Sequence, residues 1–146
     1  MLKELDFEYI EAAISAASNT DNDSDIVDMS GFEGCLFIVP IVDSVATGVA
    51  TLTIEGDDAN ATAGMVALTG AEATATCTTN DDLNGTYLIV DVKRPIYQYL
   101  RANITSDTAN IAFGHIMAIK YGPKKAPVTL TDEADSEIVV GPAQSS

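Results

Sequence analysis

Turn-forming residues cut this chain into short pieces, and that punctuation limits the possible folds more than any other feature. Clusters such as Asn19 to Asp25, Ser30-Gly31, Thr47-Gly48, Gly56-Asp57-Asp58, Asn80-Asp81-Asp82 and Gly122-Pro123 recur roughly every 8 to 12 residues. The pieces between them are rich in Val, Ile, Thr and aromatic residues, and none carries the pattern of a long amphipathic helix. Cys35-Leu36-Phe37-Ile38-Val39-Pro40-Ile41-Val42 is a continuous apolar run of strand length, and its proline assigns the far end to a sheet edge or a bulge. Val49 to Glu55 alternates strictly, as a half-buried strand does, and Ala73 to Thr78 alternates again after a loop-rich excursion over 57–70.

Thr86 to Val92 reads as a second buried strand. Arg94-Pro95 marks a corner, because proline cannot donate to a ladder, and Tyr97 to Ile104 resumes the sheet. Ile111, Phe113, His115, Met117, Ile119 and Tyr121 are expected on one face of a long final strand, opposite Ala112, Gly114, Ile116, Ala118 and Lys120. Earlier in the chain, Leu5, Phe7, Tyr9 and Glu11 alternate as a strand would, although helical spacing also fits residues 8–14, and Ile26-Val27 forms a short strand. The expectation is an all-β chain of seven to nine short strands, a jelly-roll-like antiparallel β-sandwich or a barrel. At 146 residues it makes one domain with a core of its own. The character changes from Lys124, and residues 1–125 are assigned to the sandwich and 126–146 to an extended C-terminal arm carrying the apolar trio Ile138-Val139-Val140. Such a trio could add a strand to a neighbour.

The net charge of −15 is distributed unevenly. Residues 1–92 hold 17 acidic side chains and one basic, whereas residues 93–125 hold six basic and one acidic. This balance argues against nucleic acid as a partner, since phosphate contacts need clustered Lys and Arg and the overall field repels polyanions. Lys93, Arg94, Arg101, Lys120, Lys124 and Lys125 are candidates for facing an acidic protein surface, or else they balance the chain's own carboxylates. Met1 to Asp6 lacks the pattern of a secretory signal and no apolar stretch is long enough to span a bilayer, so a cytosolic origin without a membrane partner is expected.

Residues that could carry chemistry are sparse. Cys35 and Cys77 stand alone in apolar strands and read as buried free thiols. His115, the only histidine, lies among apolar neighbours and reads as a core or interface residue rather than a general base. The carboxylate pairs Asp57-Asp58 and Asp81-Asp82 sit beside turn residues, which accounts for them. Asp21-Asn22-Asp23-Ser24-Asp25 begins like a calcium loop but has Ile26 and Phe32 where an EF-hand needs Gly and Glu. No catalytic residue, cofactor or metal site is assigned.

Two segments, Asp91-Val92-Lys93-Arg94-Pro95-Ile96-Tyr97-Gln98-Tyr99-Leu100-Arg101 and Ala118-Ile119-Lys120-Tyr121-Gly122-Pro123-Lys124-Lys125-Ala126-Pro127-Val128, together with the apolar strand over Gly34 to Pro40 and the alternating strand ending in Gly-Asp-Asp, carry a resemblance. In them the chain resembles small jelly-roll proteins encoded near the capsid genes of tailed bacteriophages. The resemblance implies a non-enzymatic capsid decoration or cement protein, made in the host cytoplasm and resident on the virion. Its implied partners are the major capsid protein and further copies of itself, as a trimer or dimer. Lys93, Arg94, Arg101, Lys120, Lys124, Lys125, Ile138, Val139 and Val140 are the expected contact residues. Two other readings stay open: a head-to-tail joining or tail/spike component, and a carbohydrate-binding sandwich module.

Overall fold

In the computed structural model, which describes residues 1–141, eleven β-segments form two antiparallel sheets. The segments are β1 (Leu5–Glu11), β2 (Ile14–Ala17), β3 (Thr20–Asp23), β4 (Val27–Asp28), β5 (Phe32–Ser44), β6 (Val49–Asp57), β7 (Val66–Thr76), β8 (Thr86–Lys93), β9 (Tyr99–Asp107), β10 (Ile111–Phe113) and β11 (Ile116–Pro123). Three pairs of them share a lane: β1 and β2 both lie along β10/β11, β3 and β4 both lie along β9, and β10 and β11 both lie along β5. The eleven segments therefore act as eight strands.

Numbered as lanes, the first pairs with the last, the second (β3/β4) with the seventh (β9), the third (β5) with the sixth (β8), and the fourth (β6) with the fifth (β7). This is the pairing of a long hairpin rolled up on itself, a jelly roll. One sheet runs β1/β2, β10/β11, β5, β8, and the other β3/β4, β9, β6, β7. Between them Phe37, Ile41, Leu52, Ile54, Ile104 and Phe113 are at most 1% exposed. The strict alternation of Val49 to Glu55 appears as a strictly alternating burial pattern along β6.

The departures from expectation follow from how distant strands pair. Pro40 lies within β5, a strand paired on both sides, so of the two expected settings the edge is not met and the bulge is, in the register irregularity of the β10 pairing. The chain tolerates it there because pairing to β11 stops at Ile38 and pairing to β10 begins at Ile41, so Pro40 sits at the gap between them. The same gap breaks the expected long final strand. Gly114 and His115 belong to neither segment, and the inward set switches from Ile111 and Phe113 to Ile116, Ala118 and Lys120. His115 is consequently exposed and not in the core, with its ring edge-on to Tyr9 at 5.9 Å between centroids. The polar cluster after Asn19 is a strand at a sheet edge, β3, and not only a turn. Strand β7 starts at Val66, inside the expected excursion, with a register shift opposite Thr53 to Glu55. Strand β8 buries only alternate residues.

Candidate interaction site

The two sequence segments that carry the family resemblance come together at one end of the sandwich. Strand β8 ends at Lys93, and the chain turns through Arg94 at a φ of 50° before Pro95 and crosses to the other sheet at Tyr99. Beside it, β11 ends at Pro123, opposite Phe32, and the Lys124 amide donates to the Gly31 carbonyl. Arg94, Pro95, Ile96 and Tyr97 from the first segment, and Pro123 and Lys124 from the second, border an open groove of about 720 Å³. Ile96 is 82% exposed on its rim.

Of the six basic candidates, four are available to a partner. Lys93, Arg94, Lys124 and Lys125 are exposed at this end, as is Lys3 of the neighbouring 3-10 turn (Leu2–Glu4). Arg94 approaches Glu33 at 3.4 Å, with both side chains largely in solvent, which ties it down little. The opposite end presents Asp43, Asp81, Asp82 and Asp107 and has no Lys or Arg in its connections 45–48, 77–85 and 108–110. The exposed cations thus gather at one end, the basic pole, where Glu4, Asp28, Glu33, Asp58 and Asp91 are exposed beside them, while the opposite end carries carboxylates alone.

Arg101 and Lys120 belong instead to the protein's own carboxylates. The Arg101 guanidinium lies on the outer face of the second sheet, 2.7 Å from Glu55 and 3.6 Å from Asp23. Lys120 points inward from β11, with its ammonium 3.0 Å from Glu8, 3.4 Å from Asp6 and 4.8 Å from the centre of the Phe32 ring. It also donates to the Asp28 carbonyl of β4, tying the two sheets at their open margin. The Glu8 contact is one of charge, since Glu8 Oε2 meets no donor in hydrogen-bonding geometry. Burial opposes the lysine charge, but Glu8 and then Asp6 outweigh it and hold the ammonium above the usual lysine range.

The described part of the arm runs back along its own sheet. The Val128 amide donates to the Lys3 carbonyl, Thr131 donates to the Asp6 carboxylate from both its amide and its hydroxyl, and Asp132 accepts from the Tyr9 amide. Those bonds cover the free edge of β1, the kind of edge that otherwise recruits other strands. Ile138, Val139 and Val140 lie in no strand and are 54%, 55% and 91% exposed. Residues 142–146 of the expected arm lie outside the described residues.

The other features singled out in the sequence are structural. Cys35 and Cys77 are buried free thiols, and burial pushes Cys35 up to about 12. Asp82 accepts from the Thr78 amide and hydroxyl and from the Thr79 amide, and Asp57 accepts from the Asp58 amide. Asp21 and Asp23 both accept from the Asn103 side-chain amide. Among the described residues no three His, Cys, Asp or Glu side chains converge as metal ligands, and no helix is long and apolar enough to cross a membrane.

Sequence reading missed one feature of the surface. Leu5, Phe7, Tyr9, Leu36, Ile38, Met117, Ile119 and Ile89 fall on the outward side of the first sheet. The signal was present as apolar residues at both parities of β5, which requires two covered faces. No protein-family model matches the chain, and no curated protein matches it.

Proposed function

We propose that this protein is a non-catalytic virion component that decorates an assembled bacteriophage capsid, docking on the major capsid protein by its basic pole. The observation that carries the reading is the convergence of the two family-like segments at one open groove, with Arg94 and Lys124 on its lining and Lys93 and Lys125 next to them in the chain. A jelly roll supplies the rigid module, and in a chain of net charge −15 the exposed cations of this pole are the groups by which it would meet an acidic site. Chemistry has little to work with: His115 is exposed beside Tyr9, and both thiols are buried.

Shells incubated with protein and pelleted at increasing salt test the reading. Occupancy should fall as salt rises, because exposed charges are screened beyond roughly 10 Å at 0.1 M. Reversing Lys93, Arg94, Lys124 and Lys125 to Glu should abolish it at low salt. Failure of the intact protein to pellet with shells at any salt, or equal occupancy by the reversed variant, would contradict it. Attachment only at the portal vertex would identify a joining protein instead.

A further inference from the structure

The two outer faces of the sandwich differ in kind. On the second sheet the outward residues are Thr51, Thr53 and Glu55 of β6, Arg101, Asn103 and Thr105 of β9, and Glu72 and Thr74 of β7, a polar surface fit for water. On the first sheet, register aligns Tyr9, Met117, Ile38 and Ile89 in one row across four strands, and Phe7, Ile119 and Leu36 in the next, where Asp91 completes the row. Pro40 stands opposite Tyr87 beyond them, with Val42 further along β5. Tyr9, Val42, Tyr87 and Ile89 are 58%, 55%, 64% and 42% exposed. Scattered apolar side chains are ordinary on a surface, but contiguous rows of them mark a contact face.

We propose that this face is covered by a second copy of the same chain, the two first sheets packing face to face about a twofold axis. Size favours it. Four strands spaced about 4.8 Å apart and about eight residues long cover about 500 Å², so two copies bury about 1,000 Å², the scale at which a specific interface begins. Charge favours it too. The chain carries −15, yet Asp91 and Lys93 are the only charged residues among the outward positions of β8, and β5 has none from Leu36 to Val42. This is the face on which two such acidic molecules meet with the fewest like charges opposed. The arm borders the face only at its β1 margin, where Leu130, Asp132, Glu133 and Asp135 share a recess of about 250 Å³ with Phe7, Tyr9 and Met117, and the exposed Tyr87 and Ile89 lie on the far side, at β8.

Sedimentation equilibrium of the full chain tests the proposal independently of any shell. The expected mass is twice 15.3 kDa, and association should tighten as salt rises, because screening relieves the repulsion between acidic copies. That trend is opposite to the one expected for docking by the basic pole, so the two proposals fail separately. Ile89→Asp and Tyr87→Asp, both at exposed positions, should each weaken the dimer at least 100-fold while keeping the wild-type circular dichroism. Thr74→Lys, on the polar face, should leave it intact. A monomer at 100 µM, a trimer, or a dimer indifferent to whichever of the two Asp variants folds would overturn the proposal, as would a dimer that Thr74→Lys disrupts equally.

Discussion

Lys120 is the residue on which the sandwich margin depends. Its ammonium neutralises Asp6 and Glu8 and reaches the Asp28 carbonyl across the sheets, so removing it strands two carboxylates in a poorly solvated place. Lys120→Met should cost roughly 3–5 kcal/mol, the usual penalty for breaking a buried pair from one side. Urea denaturation measures it, with Lys124→Ser as the exposed comparison expected to change stability by less than about 0.5 kcal/mol. Because the Lys120 ammonium is held above its ordinary value of 10.5, its contribution is complete below that pH and declines as pH rises above it. The advantage of wild type over Lys120→Met should therefore be flat from pH 7 to 9 and shrink in stronger alkali. Cysteine gives a second test at this scale. With Cys35 pushed up to about 12 and both thiols buried, iodoacetamide at pH 8 should label neither in the native protein and both in urea. Rapid native labelling of either would contradict the packing around it.

At the scale of elements, the arm is a strap on the β1 edge rather than a segment held wholly apart. Deleting 126–146 removes the bonds to Lys3, Asp6 and Tyr9. That loss should cost roughly 1–3 kcal/mol and leave the sandwich folded. Thermal denaturation should show one cooperative transition at lower temperature, and an unfolded product would make the strap part of the fold proper. Strand positions were legible wherever alternation and turn residues agreed, as in β6 and at the Pro95 corner. They were obscured where long-range pairing decided. Nothing local in Ile111 to Tyr121 announces that Gly114 and His115 interrupt the lane, since the cause is Pro40 on the neighbouring strand. The polar β3 has no apolar pattern to read and exists because β9 offers it a ladder. Charge counting found the basic block, but only the register of β11 shows that Lys120 turns inward while Lys124 and Lys125 remain in solvent.

Across the whole molecule, the rolled hairpin sets three surfaces in fixed relation: a polar outer sheet, an apolar outer sheet, and a basic pole at the end where β8 and β11 terminate. Under the two proposals these surfaces meet water, a second copy and an acidic shell in turn. The pole faces along the strands and the apolar sheet faces across them, so a paired molecule could still present two basic poles to a lattice. Electron microscopy of capsids mixed with the purified protein tests this arrangement most directly. Density is expected over the capsid lattice, with the groove lined by Arg94, Tyr97 and Lys124 against the shell and the Thr-rich sheet facing solvent. Density joined to the shell through the Thr-rich sheet, or bare capsids at saturating protein and low salt, would contradict it.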